Sequence, residues 1–298
     1  MPPTPMDRPL AIAAGLLDRA LRRRRAGELR GALERGELTL HYQPRIRLHD
    51  GQRTGAEALL RWRHARLGNV PPGDFISLAE SSDLIVAIGG WVLRRAAADA
   101  ARHPGLGRAS VNISARQIAT GVLPAQVDAA LAESGLPPER LELELTETLL
   151  LDERPEVVAM LRALRDRGIA LALDDFGAGY ASFGRLRRLP FTTLKLDQSL
   201  ITDLPHHPAD LVILRAIRDM GRAPQLRLVA EGVERPEQQT ALAELGFDEA
   251  QGYLIGRPMP LETMFAAPPP LAAPAKSPTV AAACPLPESP SSAPASPA

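Results

Sequence analysis

Cysteine, lysine, net charge and long apolar runs are all scarce in this chain of 298 residues. Its one cysteine, Cys284, can form no intrachain disulfide, so nothing in the sequence calls for an oxidising compartment. Lys+Arg and Asp+Glu each number 35, and a formal net charge of zero gives no reason to expect polymeric nucleic acid as a partner. The only apolar stretch near the N-terminus, Leu10 to Leu17, falls well short of the about 20 residues that cross a bilayer and has no signal-peptide cleavage pattern. No membrane span and a cytoplasmic, soluble protein are therefore expected. Lysine occurs only at Lys195 and Lys276, so 33 of the 35 basic residues are arginine. A chain that uses arginine wherever it needs positive charge, yet keeps lysine at 195, points to a site there that requires a compact ammonium.

What is present falls into three stretches. Residues 1–28 read as an N-terminal connector helix, with Leu10, Ala13, Leu17 and Leu21 at helical spacing, interrupted by Arg22 to Arg25, which we read as a solvated face. Residues 266–298 are dominated by Ala, Pro and Ser and cannot bury enough apolar surface to offset their ordering entropy, so a disordered tail is expected. Between them, residues 29–265 alternate strand-like and helix-like runs. The strand-like runs are Leu38 to Gln43, Gly55 to Trp62, Ser110 to Ser114, Leu141 to Thr146, Ile169 to Asp175, Thr193 to Asp197, Arg227 to Glu231 and a weak one from Gly252 to Ile255. Amphipathic segments such as Ile88 to Ala101, Pro155 to Arg167 and Ala209 to Arg222 separate most of them, the signature of a parallel sheet with crossover helices. Eight strands fit an α/β fold closed as a TIM-like (β/α)8 barrel. The connection Ile46 to Thr54 is too short for a crossover helix, so the first two strands are expected to pair antiparallel.

Strand side chains alternate between two faces, and parity sorts the polar residues. Glu142 and Glu144 oppose the leucines of Leu141-Glu142-Leu143-Glu144-Leu145, and Lys195 and Asp197 oppose Leu194 and Leu196. Asn112 and Ser114 oppose Val111 and Ile113, while Glu57, Leu59 and Arg61 share a face. Glu57, Asn112, Glu144, Asp174, Asp175 and Glu231 all follow apolar residues near strand ends, where barrel enzymes assemble their sites. Any one of them alone is a solvated strand end or a structural ion pair. Five carboxylates beside a single lysine would repel one another unless divalent ions neutralise them. Oxygen donors without cysteine or a histidine pair select a hard ion, Mg²⁺ or Mn²⁺, and adjacent Asp174 and Asp175 can flank two ions for displacement at phosphorus. Polar residues at strand ends add little net stability, so replacing Glu57 or Lys195 is expected to spare the fold.

Taken in order, these motifs resemble the EAL-domain family of cyclic di-GMP phosphodiesterases. They are Tyr42-Gln43-Pro44, Glu57-Ala58-Leu59, Val111-Asn112-Ile113-Ser114, Glu144-Leu145-Thr146-Glu147, Asp174-Asp175-Phe176-Gly177, Lys195-Leu196-Asp197, Glu231-Gly232-Val233-Glu234 and Gln251-Gly252-Tyr253. The resemblance implies two Mg²⁺ or Mn²⁺ ions and hydrolysis of cyclic di-GMP to linear pGpG. Carried over by position, it makes Glu57, Asn112, Glu144 and Asp174 ligands of one ion, with Asp174, Asp175 and Glu231 serving the second or its water. Lys195 would polarise that water, Glu231 or Asp175 would accept its proton, and Arg61 would contact substrate phosphate. Gln43, Asp197, Glu234 and Gln251 would line the substrate site, and Glu147 would brace the turn after Asp175. Ala178 and Ala181 stand where the family commonly has hydroxyls, which loosens that turn and its link to a homodimer. The alternatives are a non-catalytic cyclic di-GMP receptor, and a barrel that binds only another protein.

Overall fold

The computed structural model describes residues 25–146, 154–177, 186, 188–222 and 225–266. Alternating side chains shape the first hairpin, where β1 (Leu38–Arg47) buries Leu38, Leu40 and Tyr42 on its outer face. The Tyr42 hydroxyl donates to Asp99 Oδ2 at 2.8 Å on the helix Leu84–Arg102. A turn over residues 48–52 leads into β2 (Arg53–His64), which pairs antiparallel with β1 from Leu38↔Trp62 to Ile46↔Arg53. β2 also carries a short edge strand, β3 (Gly68–Val70), which the hydropathy pattern did not announce.

From there each strand runs parallel to the last: β4 (Arg108–Asn112), β5 (Leu141–Thr146), β6 (Ala170–Phe176), β7 (Thr193–Leu196), β8 (Arg227–Ala230) and β9 (Glu249–Gln251). The sheet order β1-β9-β8-β7-β6-β5-β4-β2, with β1 also pairing β2, closes an eight-stranded barrel in which β1 alone runs antiparallel to both neighbours. The seam is thin, because β9 meets β1 through three residue pairs and β8 through two. At Gly55 a Cβ would lie 2.5 Å from the Arg108 carbonyl oxygen, so only glycine lets β2 approach β4 this closely.

The expected helices appear as Leu84–Arg102, Pro155–Asp166 and Pro208–Arg222. Their apolar stripes cover the leucines of the strands, among them Leu141, Leu143, Leu171, Leu194 and Leu196, all fully buried. The last strand is a correction. It lies at Glu249–Gln251 rather than Gly252 to Ile255, because Gly252 packs its backbone against that of Val233 and the chain turns there, with the Ile255 and Gly256 amides both donating to the Gly252 carbonyl. Leu254 and Ile255 are apolar because they pack on the core from that turn. At the N-terminal end the described helix covers 25–34 and buries Leu29 and Ala32 in the core. Among the described residues no single helix is long and apolar enough to cross a membrane.

Candidate active site

Glu57, Asn112, Glu144, Asp174 and Lys195 come from five different strands, and strand alternation turns all of them into the barrel near one end. Lys195, 0 % exposed, is the hub. Its Nζ lies 2.7 Å from Glu231 Oε1, 2.9 Å from Glu144 Oε1, 3.0 Å from Asp174 Oδ1 and 3.7 Å from Glu57 Oε2. Burial alone would depress this ammonium, but the four carboxylates, Glu144 and Glu231 foremost, hold its pKa well above the ordinary lysine value. Burial this complete changes the stability expectation for Lys195: removing the one cation leaves several buried anions facing each other.

Glu57 is fixed by two amides. Asn112 Nδ2 donates to its Oε1 at 2.7 Å and Gln251 Nε2 to its Oε2 at 2.6 Å, while Gln251 also reaches Gln43 Oε1 at 3.3 Å. Burial raises the Glu57 pKa, yet Lys195 and these donors outweigh it and keep Glu57 below its usual value. Glu144 has Lys195 but no amide donors: burial first, then the Glu57 charge, outweigh Lys195 and drive its pKa well up. Burial likewise takes Glu231 to about 8, against the pull of Lys195.

Asp175 reaches the cluster by an unusual route. Parity places it opposite Asp174, but its backbone is left-handed at φ 57°, and the β6–β7 ladder slips between Leu173 and Phe176. That kink re-aims the side chain, so that Asp174, Asp175 and Glu231 each offer an oxygen within 4.8 Å of one another. The Asp175 amide donates to Asp174 Oδ1 at 3.0 Å, and burial followed by the Asp174 charge raises the Asp175 pKa. Among the described residues, Glu144 Oε2 is buried without a hydrogen-bond partner, and Oε1 faces only the Lys195 ammonium. An excess of hard, partly orphaned oxygens around one ammonium fits divalent cations of the Mg²⁺ type.

Above the cluster opens a cavity of about 220 Å³ lined by Gln43, Glu57, Asp197, Glu231, Glu234 and Gln251. The expected substrate residues thus gather at one mouth, with one exception. Arg61 lines a larger, separate cavity of about 740 Å³ beside His41, Trp62 and Trp91, and its Nη1 donates to the Leu60 carbonyl at 2.9 Å. Glu147, Ala178 and Ala181 lie outside the described residues.

A carboxylate-rich, lysine-centred barrel mouth of this kind is met by one family model, EAL domain, which matches residues 26–258. The chain belongs to the EAL domain family. Over 243 residues this EAL domain is 43% identical to the bifunctional diguanylate cyclase/cyclic di-GMP phosphodiesterase MucR of Pseudomonas aeruginosa, covering 80% of this chain and 36% of that protein. Over 235 residues it is 37% identical to the cyclic di-GMP phosphodiesterase PdeR of Escherichia coli K12, covering 78% and 35%. The solved PaMucR phosphodiesterase complex with c-di-GMP matches with a TM-score of 0.75 at 42% identity, over 80% of this chain and 98% of that one. The chain spans about a third of the length of these curated relatives.

Two buried charged groups inside the barrel, Arg45 and Glu249, escaped the sequence reading. Arg45 also lies inside the barrel, so Lys195 is not its only buried cation. The signal was available: Arg45 shares the inward parity of Gln43.

Proposed function

We propose that this EAL domain hydrolyses cyclic di-GMP to linear pGpG with the help of two divalent cations, Mg²⁺ or Mn²⁺. The observation that carries the reading is the charge imbalance of the site, where one buried ammonium faces Glu57, Glu144, Asp174 and Glu231 below a polar cavity, with Asp175 alongside. Relatives named as cyclic di-GMP phosphodiesterases support the substrate. Bound cations would acidify a water and offset charge on the phosphodiester.

The rest is the work of the chain's own side chains. Glu57, Asn112, Glu144, Asp174, Asp175 and Glu231 would hold the cations, with Glu57 locked in orientation by Asn112 and Gln251. Lys195 spaces the carboxylates, and its compact ammonium would hold and polarise the attacking water. Glu231 and Asp175 have pKa values raised by burial, Glu231 to about 8, which suits proton exchange near neutral pH. Gln43, Asp197, Glu234 and Gln251 offer donors and acceptors for a guanine edge at the mouth. Arg61 would have to swing from its contact with the Leu60 carbonyl to reach a phosphate.

Incubating the purified protein with cyclic di-GMP and Mg²⁺ or Mn²⁺, followed by chromatography, should yield pGpG. Tight binding of cyclic di-GMP with no turnover in either metal would replace the phosphodiesterase by the receptor. A flat calorimetric titration would leave only a protein-binding module.

A further inference from the structure

One layer below the site, the barrel holds a second set of buried polar residues that the proposed chemistry does not use. Arg45, 1 % exposed, places Nη1 2.6 Å from Glu142 Oε1 and Nε 2.8 Å from Glu249 Oε2. Glu142 also accepts from Ser110 Oγ at 2.8 Å and Thr193 Oγ1 at 3.0 Å. These residues stand in strand-by-strand correspondence with the site: Arg45 two residues from Gln43 on β1, Ser110 from Asn112 on β4, Glu142 from Glu144 on β5, Thr193 from Lys195 on β7 and Glu249 from Gln251 on β9. Barrel layers are ordinarily filled by branched apolar side chains, and apolar replacement of a buried ion triad is often neutral or stabilising. Stability alone is a poor reason for this layer.

Its geometry supplies another. No backbone ladder joins β1 to β5, and β9 is held by three pairs to β1 and two to β8. The Arg45 guanidinium ties all three strands together, and the Arg45 backbone pairs with Gln251 at the closing seam. Gln251 in turn fixes Glu57 at 2.6 Å, and β5 delivers Glu144 to Lys195 at 2.9 Å. We infer that Arg45, with Glu142 and Glu249, is a positioning residue: its fork sets the separation of β1, β5 and β9 and thereby the placement of Glu57 and Glu144 for cation binding. The inference rests on the reading that the upper cluster holds divalent cations.

The test replaces the triad by apolar residues of similar size, Arg45→Met with Glu142→Leu and Glu249→Leu, and compares Mn²⁺ affinity by calorimetry, kcat, KM and thermal melting with the unmodified protein. A folded variant whose Mn²⁺ affinity and kcat each fall about 10- to 100-fold, with KM within threefold, supports the positioning role. A folded variant with unchanged Mn²⁺ affinity and kcat overturns it, because a purely structural layer would move only the melting temperature. Should the triple variant not fold, Arg45→Lys decides, since a single nitrogen cannot reproduce the spacing with which Nη1 and Nε meet Glu142 and Glu249: a loss of about 10-fold in Mn²⁺ affinity supports the role, and none overturns it. If the unmodified protein binds Mn²⁺ but leaves cyclic di-GMP intact, the phosphodiesterase reading fails while the affinity comparison still judges Arg45. If it binds no Mn²⁺, both fail.

Discussion

The two ion clusters stacked inside this barrel use the same side-chain classes and stand in opposite electrostatic states. In the lower one, Glu142 and Glu249 meet Arg45, with Arg108 Nη1 3.7 Å from Glu142 and Arg227 Nε 3.4 Å from Glu249. Three arginines outnumber two glutamates there, and although burial pushes Glu142 up, Arg45 and Arg108 hold it down at about 2. In the upper one a single ammonium faces several carboxylates, and Glu144 and Glu231 are pushed up instead. Buried carboxylates therefore stay ionised where arginines outnumber them, and form a cation-hungry site where a single ammonium is outnumbered.

The comparison breaks most visibly at Glu57. Glu57→Ala should lower kcat for cyclic di-GMP about 100- to 1000-fold, measured by pGpG release under saturating Mn²⁺. Protein stability should change much less, because relief of the repulsion on Glu144 offsets the cost of leaving the Asn112 and Gln251 amides without their acceptor. In the lower layer the outcome reverses: Glu142→Leu strands Arg45 and Arg108 without their shared partner and should cost about 3–5 kcal/mol in urea unfolding.

Next in size is the effect of added cation. In excess Mn²⁺, at about 100 times Kd, the unmodified protein should gain roughly 2.7 kcal/mol, and Glu144→Ala should lose most of that gain. The gain should grow from pH 6 to 9, since Glu231 must lose the proton that burial keeps on it up to about 8. A gain independent of pH would contradict the protonated state of Glu231.

The smallest and most diagnostic effect is the sign of the pH dependence in chelator. Glu142, depressed in the folded state to about 2, contributes stability that is complete above its ordinary value of 4.5 and is lost as pH falls toward 2. Glu231, raised to about 8, contributes stability that is complete below 4.5 and is lost as pH rises through 8. Urea midpoints should thus fall at both ends, with Glu142→Gln blunting the acid limb and Glu231→Gln the alkaline one. A single mutation that flattened both limbs would mean that the clusters titrate as one.

Much of the barrel was legible because its strands obey a period of two and its helices a period near 3.6. The run Leu141–Thr146 needed no revision, and Pro208–Arg222 shifted by one residue. Ser110 to Ser114 moved to Arg108–Asn112 because Ser114 leaves the ladder to cap the next helix, the last strand moved because Leu254 and Ile255 pack from a turn, and Gly68–Val70 was missed because its pairing is too short to leave a pattern. Within the site, Lys195 stood out by the rarity of its residue type, and the ordered motifs located the carboxylates around it. Asp175 was found as the second acid at a strand end and not by parity, which its left-handed backbone defeats.

The sequence by itself determined the alternation of strands and helices, the antiparallel hairpin forced by a short connection, and which side chains turn inward. Only the tertiary structure decided how high in the barrel each inward residue sits. Glu142 and Glu144 are indistinguishable by parity, yet one lies in an arginine-rich floor and the other in an anion-rich site. The reason is physical: the period of two selects a face, whereas the register between strands distant in sequence selects the layer, and with it whether a buried carboxylate meets an arginine or another carboxylate.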